Sequence, residues 1–133
     1  MITVKELKNV FNECPDGWNM EFRKWEHGNA QDFKEKYPNY PMPNLVSIKI
    51  KEVINKADKN YERVIRKFVL EDDFEDDFVL TNDEAIEYFC RYLDDSDMIE
   101  FVLKVKDSEI PLKIEAGDKG YSDKIMMINF KET

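Results

Sequence analysis

Two stretches of the chain carry apolar residues at helical spacing, each preceded by the same start signal. Leu7, Val10, Phe11 and Cys14 fall at i, i+3, i+4 and i+7, as do Ile86, Phe89, Cys90 and Leu93, so each set draws one apolar stripe along a helix. Thr3-Val-Lys-Glu6 precedes the first and Thr81-Asn-Asp-Glu84 the second. In this T-x-x-E box the hydroxyl and the carboxylate satisfy free N–H groups at a helix start. Cys14-Pro-Asp-Gly17 ends the first pattern and Asp94-Asp-Ser-Asp97 the second, both of turn-forming composition.

Beyond each helix the period changes to two. Met20-Glu-Phe22 and Ile99-Glu-Phe101 begin strands. Val46, Ile48 and Ile50 then alternate with polar residues, 62–70 alternates again, and 55–60 reads as the polar connection. In the second half Ile99 to Val105, Ile110 to Ile114 and Ile125 to Phe130 read as strands, with a turn at 107–109 and a loop at 117–120. The expected order is αβββ-αβββ, an α+β fold in which a mainly antiparallel sheet carries two amphipathic helices on one face. The helix and first-strand positions of the halves match at an offset of 79 residues, the caps at 78. Either a duplicated unit or two αβ units with few ways to look different accounts for this. The halves are 1–70 and 81–133, with an acidic connector at 71–80, and the 133 residues suit one domain. Gln31 to Tyr37 has the pattern of a short helix, and Pro38, Pro41 and Pro43 then impose an extended path.

Charge changes the picture more than composition does. The net charge is −9, yet residues 71–97 hold twelve acidic side chains and one arginine, a net of −11, leaving +2 for the rest. Direct binding of nucleic acid, which needs clustered positive charge, is disfavoured. The first residues mix Lys and Glu and no long apolar run occurs, which argues against a secretory leader and a membrane span. Two cysteines on apolar helix faces suit a reducing, cytoplasmic setting.

The acidic segment contains EDDFEDDF at 71–78. It has three readings. Asp72, Asp73, Glu75, Asp76 and Asp77, with Glu84, Glu87, Asp94, Asp95 and Asp97, can stand in for the phosphates of a nucleic acid. They would then occupy a basic groove on a nuclease or other nucleic-acid-processing protein, with Phe74 and Phe78 as anchors. Alternatively, Asp73, Glu75, Asp77 and Glu84 repeat positions 1, 3, 5 and 12 of a calcium loop. Phe78 stands where that loop requires glycine. A third reading is a solvated loop on a structural or assembly protein, neutralised by Lys49, Lys51, Arg63 and Lys67. A second contact surface is offered by Trp25, Tyr37, Tyr40 and Met42 among the prolines.

Enzyme signatures are sparse. His27 is the only histidine, four glycines leave little for a phosphate cradle, and no hydrolase or nucleotide-binding motif occurs. Asp94, Asp95, Glu109 and Lys113 could together form a carboxylate-lysine nuclease site. The expectation from sequence is thus a non-enzymatic acidic inhibitor without cofactor or metal. In size and charge it is of the class of anti-defence (anti-CRISPR) inhibitors and nuclease-immunity proteins of phage or bacteria. A calcium-binding or metal-dependent enzymatic domain is the alternative.

Overall fold

The computed structural model describes residues 1–25, 45–60 and 62–133. Eight strands and two helices follow in the order β1 (Ile2–Thr3), α1 (Val4–Phe11), β2 (Asn19–Trp25), β3 (Leu45–Ala57), β4 (Val64–Asp73), β5 (Phe78–Thr81), α2 (Asn82–Cys90), β6 (Met98–Val105), β7 (Ser108–Gly120) and β8 (Ile125–Glu132). The expected helix at 31–37 lies outside the described residues.

Six strands close into a barrel in the order β2-β3-β4-β6-β7-β8 and back to β2. This corrects the expectation of an open α+β sheet: the described residues are mostly β, and the two helices among them are short. Each half supplies an antiparallel meander, β2-β3-β4 or β6-β7-β8. Two parallel seams join the meanders, β4 with β6 and β2 with β8. Those seams unite distant segments, so no local pattern announces them. Closure pairs the strands around the barrel, and among the described residues long edges stay free where β3 and β7 run on beyond their short pairings with β2 and β6.

The strands also outrun their apolar alternation. Residues 55–57 belong to β3, paired with Arg66, Ile65 and Val64, and residues 117–120 belong to β7. Glu71 to Asp73 complete β4 and Phe78 opens β5, so the acidic connector shortens to residues 74–77.

The lead strands cross between the halves. β1 pairs with β6 (Ile2 opposite Ile99, Thr3 opposite Met98), and β5 pairs with β2 (Leu80 opposite Met20, Thr81 opposite Asn19). These are equivalent pairs under the offsets of 78 and 79 noted above. Both capping boxes form: Thr3 Oγ1 accepts from Glu6 N at 3.1 Å, and Thr81 Oγ1 from Glu84 N at 3.3 Å. Each Glu accepts the backbone N–H of its threonine in return. The chain leaves α1 through Gly17, whose φ of +79° suits a residue without a side chain.

One core fills the barrel. Met20, Phe22, Phe68, Leu70, Phe101, Leu103, Met126, Ile128 and Phe130 from the strands join Leu7 and Phe11 of α1 and Ala85 and Phe89 of α2. The helices therefore serve this interior and do not form a separate layer. Phe89 is the hub, with ring centroids 5.0 Å from Phe68, 5.6 Å from Phe22, 5.7 Å from Phe11 and 5.8 Å from Phe101. Cys14 and Cys90 are buried and free, and burial pushes the Cys90 thiol up to about 11. Since the thiolate is the reactive form, the native protein should react slowly with a thiol reagent near pH 8, and unfolded chain rapidly. Comparison of the rates with and without denaturant checks this.

Candidate functional site

The acidic segment is divided by its partners. Glu71 lies 3.2 Å from Lys49 and 3.5 Å from Lys51, cations on the neighbouring strand β3. Asp72 turns to Lys24, with Oδ1 3.0 Å from Nζ. Asp73 Oδ1 accepts the backbone N–H groups of Glu75 (2.9 Å) and Asp76 (3.2 Å), folding the chain back toward β5. Ser47 Oγ then receives the Phe78 N–H at 2.9 Å. Asp77 is exposed, 3.8 Å from Arg23. Phe78 packs into the core edge beside Phe22 and Tyr88. The turn thus displays Phe74, which is 71 % exposed, with the carboxylates of Glu75 and Asp76.

The carboxylates of α2 and the turn after it divide in the same way. Glu84 is held by its capping box, and Glu87 pairs with Arg91 at 3.3 Å. Asp95 pairs with Lys8 of α1 at 2.9 Å. Asp97 does not belong to an outward face: it is 6 % exposed and its carboxylate receives Val64 N at 2.8 Å and Asp94 N at 2.7 Å. It pins the start of β4 to the turn before β6. Among the described residues, Glu75, Asp76, Asp83 and Asp94 are the carboxylates of this segment with neither an ion pair nor a side-chain hydrogen bond.

Two aromatic residues on this side gave no separate signal in the sequence reading. Tyr88 sits on the outer side of α2, its ring 5.7 Å from Phe78, the residue that follows the acidic turn. Tyr92 is 86 % exposed, with the Arg91 guanidinium 4.6 Å over its ring. Its φ of 65° is left-handed, at the position after a helix end where glycine is usual. A tyrosine among the acids on the polar side of α2 is the pattern that could have revealed Tyr88.

The calcium spacing does not assemble. Asp73 is spent on the turn, Glu84 on the cap of α2, and among the described residues no group of three or more His, Cys, Asp or Glu side chains converges to hold a metal ion. Nor do the candidate nuclease residues meet. Asp94 and Asp95 precede β6, whereas Glu109 pairs across from Lys104 at its far end, about 20 Å away along the strand, and is held by Lys67. Of the proline-aromatic surface, Trp25 ends β2 and is partly exposed. Tyr37, Tyr40 and Met42, like His27, lie outside the described residues.

A buried ion pair was also missed. Lys24 continues the inward run of Met20 and Phe22, is 1 % exposed, and gives its ammonium to the Trp25 carbonyl as well as facing Asp72. Its equivalent in the second half, 79 residues on, is Leu103. The signal was a lysine in step with apolar residues at every second position.

Several paired carboxylates are held below their ordinary range: Glu71 by the hydrogen bond from Lys49, Asp73 by the Glu75 N–H, Glu84 by the Thr81 N–H, and Glu109 by Lys67. A folded-state value below the unfolded one adds stability above the unfolded value and loses it as pH falls through the folded one. Stability should therefore hold down to about pH 5 and decline below about pH 4, the range where free carboxyls protonate. Melting temperature against pH checks the direction.

No protein family, curated protein or solved structure matches the chain. Among the described residues, no helix is long and apolar enough to cross a membrane.

Proposed function

We propose that this chain is a binding protein without chemistry of its own, which uses the Phe74–Asp77 turn and the outer side of α2 to block a partner bearing a basic surface. A nuclease or another protein that handles nucleic acid is the partner class whose grooves carry such charge. The observation that supports the reading is the company kept by the free carboxylates. Glu75 and Asp76 follow the exposed Phe74 in the turn, while Asp83 and Asp94 bracket a helix that presents Tyr88 and is followed by Tyr92. Aromatic anchors surrounded by charge are what a contact surface needs: the rings supply buried area at low entropic cost, and the anions supply steering and register.

The pairing within the segment narrows the earlier picture of a continuous phosphate-like strip. Asp72, Asp95 and Asp97 serve the fold, and the interacting group contracts to Phe74, Glu75, Asp76, Asp83, Tyr88, Tyr92 and Asp94. Tyr92 tests this reading by a trade-off. Glycine there relieves the left-handed conformation, so Tyr92→Gly should stabilise the protein by up to about 1 kcal/mol. It should also weaken partner capture. Denaturant melts and a capture assay on the same variant read the two effects. A gain in stability with capture unchanged would remove Tyr92 from the surface.

A further inference from the structure

Strand β3 carries a second surface, separate from the acidic face. Its pairing with β2 is confined to Leu45, Val46 and Ser47, because β2 gives the rest of that edge to β5. From Ile48 to Ala57 one edge of β3 is bonded to β4, and no strand among the described residues pairs with the other. Lys51 through Ala57 are all exposed, including Val53 at 47 % and Ile54 at 37 %. The corresponding edge of β7, beyond its pairing with β6 at 108–112, carries Lys113, Glu115, Asp118 and Lys119. Charges of that density deter strand addition, whereas β3 sets adjacent Val53 and Ile54 among its charges.

We propose that this edge pairs with the same edge of a second copy, antiparallel about a two-fold axis at Ile54. The register follows from backbone geometry and charge. Only alternate residues turn their N–H and C=O groups toward a given edge, so a symmetric antiparallel pairing must centre on a residue and not between two. Centred on Ile54, it sets Ile54 against itself, Val53 against Asn55, and Glu52 against Lys56 on both sides of the axis. Centred on Val53, it sets Glu52 against Ile54. Centred on Asn55, it opposes Glu52 to Asp58 and Lys56 to Ile54. Of these three, only the Ile54 register makes two opposite-charge pairs, and it does so within the strand. Lys56 lies 3.6 Å from Glu100 of its own chain, and so would bridge that carboxylate and the partner's Glu52.

Sedimentation of the full chain from about 1 µM to about 100 µM, a range that brackets micromolar self-association, should show a concentration-dependent dimer. Ile54→Lys puts two ammonium groups on the axis at an exposed position that tolerates charge, and should raise the dimer Kd by about tenfold or more, with the circular dichroism spectrum unchanged. Glu52→Lys and Lys56→Glu should each be monomeric alone yet form a heterodimer when mixed, since each then offers what the other lacks. A wild-type monomer throughout the range would overturn the proposal. So would a dimer indifferent to Ile54→Lys, or two charge variants that fail to associate when mixed.

Discussion

Truncating Phe89 to alanine should destabilise the protein by about 3–5 kcal/mol, the range for removing a buried aromatic side chain that leaves a cavity. That is a large fraction of the roughly 5–15 kcal/mol a domain of this kind possesses. The expectation rests on the ring's position. It is fully buried, borne on α2, and meets Phe11 of α1 and strands β2, β4 and β6 through Phe22, Phe68 and Phe101. Its loss would loosen helix and barrel together, because among the described residues no second layer retains the helix. Phe11→Ala at the neighbouring ring should behave similarly, whereas Phe74→Ala on the exposed turn should fall within about 0.5 kcal/mol of the parent, as surface changes do. Urea unfolding of the three variants makes the comparison. A mild effect at Phe89 would mean that the helices lie on the barrel and do not fill it.

The second large effect concerns Lys24. Lys24→Ala should cost about 3 kcal/mol, at the low end for breaking a buried pair because Asp72 retains some access to water. The lost partner leaves a carboxylate whose Oδ1 is buried and has no hydrogen bond. The second half of the barrel suggests the compensating change. Leu103 occupies the equivalent place with an apolar side chain, so Lys24→Leu combined with Asp72→Asn should recover most of the loss. Failure of the double variant to recover would show that the pair holds the barrel end in a way an apolar contact cannot.

Signals that need only neighbouring residues are legible in the sequence, and contacts between distant segments are not. The two T-x-x-E boxes need only neighbouring residues and form as expected, while the helices stop at Phe11 and Cys90, three residues before the expected ends, so Cys14 and Leu93 of the apolar stripes lie beyond them. The β4–β6 and β2–β8 seams join segments with nothing in their local pattern to relate them, and without the seams the alternating strands read as an open sheet. Asn55, Lys56 and Ala57 looked like a connection because a strand exposed on both faces has no alternation to show. In the acidic segment the charge was legible but its fate was not. Lys8, Arg23, Lys24 and Lys49 reach it from α1, β2 and β3, and only the fold decides which carboxylates they take. Asp97 is the sharpest case, an apparent surface acid whose two oxygens tie β4 to the turn before β6.

The most direct measurement for the proposed function is paired capture from the native cell. One bait is the parent protein, the second carries Phe74→Ala, Glu75→Lys and Asp76→Lys, and the third carries Lys106→Glu as a surface control. The account predicts a basic, nucleic-acid-handling protein retained by the parent and the control, lost from the triple variant, released as salt rises, and displaced from its own nucleic acid by the parent alone. Equal retention by all three folded baits, or a captured protein whose binding of nucleic acid the parent leaves untouched, would contradict it.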